Sequence, residues 1–231
     1  MKLKKIASLA LAGIMAVSML AGCKSNPADP ETPNEPVVPT TSSIGEYVNN
    51  LMTKDQKKIL TFDENANLAS AVSKIAEDSG VITPLVISGA KTTVDGNNYT
   101  NWSAYNKTAT EKVKDEFKSG IVYAGSTDGI NNLGDWYNKG VSNQEKSDSV
   151  VFVYVLSGDL SDVGVANAIY DKVSVNIVDT VLKSQINNNY VDYTGSIAAT
   201  KVSNSVNSSE SAWVVGVMFT KTITNGTNTQ A

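Results

Sequence analysis

The chain has 231 residues, 41% of them hydrophobic and 18% charged, with 23 acidic groups against 19 basic ones, a single cysteine and no histidine. Every basic group is a lysine, because arginine is also absent. These counts exclude a Ser-His-Asp triad, a Cys-His dyad, a histidine-ligated metal, an internal disulfide and a bidentate guanidinium grip on phosphate or carboxylate. The length suits one or two domains, and the apolar fraction suits a folded core rather than a multi-span membrane protein.

The N-terminus places Lys2, Lys4 and Lys5 ahead of an uncharged apolar run from Ile6 to Leu20. A positive region followed by a short apolar core has the form of a secretory signal peptide over residues 1–22. The sole cysteine, Cys23, follows Leu20, Ala21 and Gly22. This segment resembles the lipobox of bacterial lipoproteins. There, small residues admit the peptidase, and the thiol becomes a thioether to diacylglycerol. The resemblance implies that Cys23 is the lipidated N-terminus of the mature chain. Acyl chains contribute about 0.8 kcal/mol per buried methylene, so two or three of them hold a protein durably on a membrane. The following residue is Lys24, not the aspartate of an inner-membrane retention signal, so the final leaflet stays open in a cell with two membranes.

Residues 23–43 form the expected linker. Five of the six prolines lie there, at Pro27, Pro30, Pro33, Pro36 and Pro39. Proline removes backbone donors and disfavours helix, so the segment is expected to be extended and disordered. At about 3.1 Å per residue it reaches roughly 60 Å, enough to lift a domain clear of lipid headgroups. The regular spacing also allows a PxxP docking site, but a spacer is the preferred reading.

Residues 44–231 are expected to be one extracytoplasmic α+β domain. Ile44, Tyr47, Val48, Leu51 and Met52 predict a helix from Ile44 to about Leu60. Asp63 is a candidate cap for a second helix to Asp78, with Leu68, Val72, Ile75 and Ala76 on one face and Gly80 at its end. Val81 to Ser88 reads as a short strand, held to an edge by Pro84. Residues 89–105 read as a loop or irregular hairpin turning at Asp95 and Gly96. Thr108 to Lys118 predicts a helix, and residues 124–146 read as irregular. Val150 to Leu156 is apolar on both faces, as a centrally placed strand requires. Ser161 caps a long helix expected to reach Ile186, with Ala166, Ile169, Val173, Ile177 and Val181 as its stripe. Two strands complete the domain. Tyr193, Gly195, Ile197 and Ala199 share one face between Val191 and Val202; Trp213, Val215, Val217 and Phe219 share one between Ala212 and Ile223. The polar run between them predicts a hairpin loop. The architecture expected is a single α-β-α sandwich with a mostly antiparallel sheet and a C-terminal β-hairpin.

This order resembles the CAP (SCP-like) fold. The resemblance rests on Leu68, Val72 and Ala76 in an early helix, the strand Val150–Leu156, the helix Val163–Ile186, the segment Tyr190–Ala199 with Gly195, and the aromatic strand Trp213–Phe219. That family's cavity uses paired histidines and glutamates. This chain has no histidine, so the family's metal site does not transfer.

Four features carry candidate chemistry. Ser88, Gly89, Ala90 and Lys91 fit Ser-x-x-Lys, but no accompanying hydrolase motif follows. Residues 128–135, with Asp128, Asn131, Asn132 and Asp135, offer oxygen ligands to calcium without the EF-hand spacing. Asp159 and Asp162 suit the start of a helix as dipole partners. Trp102, Tyr105, Trp136 and Tyr137 are aromatic residues among polar ones, suited to stacking on a sugar or partner. An acidic, arginine-free chain argues against nucleic acid. The resulting expectation is a membrane-anchored extracytoplasmic domain that binds a glycan, peptide or protein, with neither cofactor nor metal. The alternative is a histidine-independent hydrolase acting on envelope or glycan substrates through carboxylates or Ser/Lys.

Overall fold

The computed structural model describes residues 42–90, 104–125, 146–174 and 189–225, together with 94–95, 98–99, 130, 133, 136, 182 and 185–186. All belong to one compact unit that begins at Val38. The leader, Cys23 and the proline-rich segment lie outside the described residues.

The first expected helix is two. Helix α1 (Ser42–Leu51) buries Ile44 and Val48, and α2 (Lys54–Ile59) follows after a break. Thr53 makes the break. Its hydroxyl accepts from the Gln56 amide at 3.2 Å, and the Gln56 side chain accepts from the Thr53 amide at 2.9 Å. This reciprocal cap satisfies two amides that continued helix would have used differently. Helix α3 (Ala66–Glu77) is capped by Asn65, two residues beyond the expected Asp63, and buries Leu68, Ala71, Val72, Ile75 and Ala76.

Residues expected as an edge strand form α4 (Pro84–Gly89). Thr83 accepts from the Val86 amide at 3.2 Å, and Pro84 occupies the helix's first turn. A capping threonine followed by proline favours a helix start, because the missing N–H is one that the first turn leaves unpaired anyway. Strands β1 (Val94–Asp95) and β2 (Asn98–Tyr99) pair antiparallel, and Gly96 of the expected turn lies outside the described residues. Helix α5 (Lys107–Glu116), capped by Asn106, precedes the short β3 (Val122–Ala124) and the long β4 (Lys146–Ser157).

Ser161 does cap helix α6 (Asp162–Ser174), its hydroxyl accepting from the Gly164 amide at 3.2 Å. The helix does not reach Ile186, because Gln185–Ile186 is strand β5. Ile177 and Val181 lie outside the described residues. Strands β6 (Asn189–Ser203) and β7 (Ser211–Asn225) are the C-terminal hairpin, paired from Asn189↔Asn225 to Ser203↔Ser211.

The domain is α+β, with a five-stranded sheet in the order β3-β4-β7-β6-β5, antiparallel except where β3 pairs with β4. Alternation along β4 divides two cores. Val150, Phe152, Tyr154 and Leu156 face the α1 and α6 side, whereas Val151, Val153 and Val155 face the α3, α4 and α5 side. Each fully buried aliphatic or aromatic side chain contributes about 1.5–3 kcal/mol, so a sheet covered on both faces needs apolar residues at successive positions.

Two glycines set the spacing of these layers. A Cβ on Gly216 would lie 2.4 Å from Val72 Cγ2, so its absence lets α3 sit close on β7. A Cβ on Gly195 would lie 2.5 Å from the Phe62 ring. There the chain adds itself to the outer edge of β6: the Gly195 amide donates to Thr61 O at 2.8 Å, and the Asp63 amide donates to Gly195 O at 2.9 Å. Phe62 then packs edge-on against Phe219.

Candidate functional site

Two polar constellations stand out from this framework. The first is buried between Trp136, β4 and β7. Lys221 is wholly buried and Asp148 nearly so, at 0% and 3% exposure. The two are register partners, Asp148 lying opposite Lys221 across the β4–β7 pairing, so both side chains leave the sheet on one face. The Lys221 ammonium is 3.6 Å from Asp148 Oδ1 and donates to Trp136 O at 2.7 Å. The Trp136 indole N–H donates to the same carboxylate oxygen at 2.7 Å. The ammonium also lies 4.8 Å from the centroid of that indole, within cation–π range. Carboxylate, ammonium, indole and carbonyl therefore satisfy one another away from water.

Ile130, Leu133 and Trp136, three residues apart, are all buried against the α1 and α6 side. The Ile130 amide donates to the Tyr154 hydroxyl at 2.8 Å. Burial raises the Tyr154 phenol well above its usual range, so it stays protonated. This placement corrects the expectation for Trp136. Its ring is buried and its N–H is taken, so it is a core anchor rather than a solvent-facing aromatic. Tyr105 is half-buried, stacks edge-on with Tyr154 and donates to Gly125 O at 2.7 Å. Burial raises its phenol as well. Trp102 and Tyr137 lie outside the described residues, as do Asp128, Asn131, Asn132 and Asp135. Among the described residues, no three metal-ligating side chains cluster.

The second constellation joins α4 to the β6–β7 loop at one end of the sheet. Asn204, 3% exposed, is its centre. Its amide nitrogen lies 3.2 Å from Pro84 O, 3.0 Å from Ser88 Oγ and 3.0 Å from Glu210 Oε2. Its oxygen accepts from the amides of Val206 at 2.9 Å and Asn207 at 3.3 Å. Ser88 donates to Glu210. The Ser-x-x-Lys serine is thus half-buried on a short helix and engaged by a carboxylate more than a hundred positions away. Lys91 lies outside the described residues. Nothing local in the sequence pairs Ser88 with Glu210; only the Thr83-Pro84 helix start and the hairpin length bring them together.

Asp159 and Asp162 have separate local roles. The Asp159 amide donates to Ser157 Oγ at 3.3 Å in a local turn, and Asp162 sits in the first turn of α6. A carboxylate there complements the positive end of the helix. Two clefts of about 210 Å³ open elsewhere, one lined by Lys57, Leu60, Thr61 and Tyr193, the other by Asn67, Glu116, Phe117 and Lys118. Both fall below the roughly 300 Å³ at which small-molecule pockets usually begin.

Comparison of the chain with protein-family models, with curated proteins and with solved structures finds no match in any of the three. Among the described residues, no helix is long and apolar enough to cross a membrane.

Proposed function

We propose that this protein is a lipid-anchored extracytoplasmic domain that works by binding at the cell envelope rather than by catalysis. The observation that carries the anchoring is the unique cysteine at Cys23, preceded by Leu20, Ala21 and Gly22 behind a lysine-headed apolar leader. The prolines from Pro27 to Pro39 support a stand-off tether between that anchor and the domain. The binding role is supported by the use of the polar groups in the fold. Asp148, Lys221 and Trp136 satisfy one another, and Asn204 is spent on holding α4 to the β6–β7 loop.

The experiment is membrane fractionation of cells producing the full chain and its Cys23→Ala variant. The native chain partitions with membranes and resists extraction by salt; the variant appears in the soluble fraction. A variant that stays on the membrane would overturn the anchoring.

A histidine-independent hydrolase is the second reading, favoured by one contact: Ser88 donates to Glu210, which also lies within hydrogen-bond distance of Asn204. A carboxylate so placed can take the proton as a serine oxygen attacks a carbonyl. Treatment with a fluorophosphonate probe and mass spectrometry separates the two. The binding reading expects Ser88 unmodified; stoichiometric labelling lost in Glu210→Gln would establish the hydrolase.

A further inference from the structure

The end of the domain held by Asn204 presents two aliphatic side chains almost completely to solvent. Leu85, in α4, and Val206, in the β6–β7 loop, are each 82% exposed. Isolated exposed aliphatic residues are ordinary. These two are not isolated, because one buried side chain carries both. The Asn204 amide donates to the carbonyl of Pro84, immediately before Leu85, and its oxygen accepts from the amide of Val206 itself. The Ser88–Glu210 hydrogen bond fastens the same two segments a second time. Residues 79–90 and 203–209 contain no charged residue. Glu210, the one carboxylate that borders these two stretches in the tie, is bonded to Ser88 and Asn204, so the two apolar points of this tip stand on uncharged segments.

We propose that this tip inserts Leu85 and Val206 into the interface of a phospholipid bilayer, as a second, shallow contact for a domain already held near the membrane. Three observations favour a bilayer over a protein partner. A stable protein interface needs about 800 Å² from each side, and two side chains cannot supply it. An interfacial contact needs only apolar points and no compensating charge. Three backbone groups beside the two side chains are already satisfied: the amides of Val206 and Asn207 and the Pro84 carbonyl are bonded to Asn204, and Pro84 has no N–H. Desolvating them therefore leaves no donor or acceptor stranded. Two aliphatic side chains bind a free bilayer weakly, but a tether raises the local concentration of lipid enough to make the contact intramolecular.

This inference goes beyond the anchoring reading, and its test uses an artificial tether so that the two fail separately. The full chain carrying Cys23→Ser and an N-terminal hexahistidine tag is attached to phosphatidylcholine vesicles containing a nickel-chelating lipid. A nitrobenzoxadiazole label is placed through Val206→Cys or, at the opposite end of β7, through exposed Thr224→Cys. Both positions point to solvent, so neither change threatens the fold. The expected result is a blue-shifted, at least twofold brighter emission for the label at 206, quenched by lipids brominated near the headgroup and reduced by adding Leu85→Asp. The label at 224 stays unchanged. Equal responses at both positions, or none at 206, would overturn the proposal. So would a shift that occurs without vesicles and grows with protein concentration, which would indicate a second copy. A response that requires anionic lipid and vanishes in salt would also overturn it, because insertion through Leu85 and Val206 involves no charge to be screened.

Discussion

The Asp148–Lys221–Trp136 centre and the Asn204–Ser88–Glu210 tie do similar work with different physics. Each fixes a segment onto the sheet through a side chain that bonds in several directions. One is sealed in the core and built around an ion pair; the other lies at a sheet end, partly wet, and is built mostly from an amide and a hydroxyl. Removing one charge from a buried pair leaves the other uncompensated, whereas truncating the Asn204 amide leaves mostly neutral, partly buried partners that cost less to strand. The buried centre is therefore a condition of folding, and the tie a condition of local shape.

The largest expected effect tests that contrast. Lys221→Met should destabilise by about 3–5 kcal/mol, because Asp148 is left buried with only the Trp136 N–H. Urea denaturation measures this, and a loss under about 1 kcal/mol would mean that water reaches the site. Adding Asp148→Leu to Lys221→Met should recover part of the loss, since the orphan charge is gone. Asn204→Ala should cost about 1–2 kcal/mol, less than its several hydrogen bonds suggest. Its sharper signature is faster amide exchange at Val206 and Asn207, with exchange in β4 unchanged. A loss matching that of Lys221→Met would erase the distinction between the two regions.

Two smaller effects sharpen it. Tyr154 has a folded value above its ordinary 10.0 because burial disfavours the phenolate. The unfolded chain then releases this proton at lower pH than the folded one. The associated stability is present below that ordinary value and is lost as pH rises beyond it. Wild type should accordingly converge toward Tyr154→Phe in stability as pH climbs past 10.0; parallel curves would contradict the burial. Finally, Thr200 Oγ1 is buried without a hydrogen-bond partner among the described residues. Thr200→Val should be neutral or stabilising by up to about 1 kcal/mol, because it removes a desolvated hydroxyl at nearly constant shape. A clear loss of stability would reveal a bond to that oxygen.

Much of the fold is legible in the residues themselves. The continuous apolar run Val150–Leu156 reads as a strand covered on both faces, and alternation reads out the faces of β6 and β7. Four misreadings have identifiable causes. Thr53 and Thr83 act as caps inside runs whose apolar spacing favoured one helix and one strand. Gln185 and Ile186 joined a strand because pairing with Tyr190 and Asn189 outweighed helical periodicity. Trp136 looked like a loop aromatic because its neighbours are polar. Its spacing from Ile130 and Leu133 was the available signal for burial.

The amino-acid sequence alone determined the chemistry this protein lacks, the likeness of its leader to a lipidation signal, and the alternating pattern that requires a two-faced sheet. These depend on residue identity and on periods of a few positions. The tertiary structure decided which polar groups meet. Lys221 with Asp148, and Ser88 with Glu210, are separated by long stretches of chain, and no local preference encodes either pairing. They follow from strand register and helix placement, which sum many small packing energies before any one side chain finds its partner.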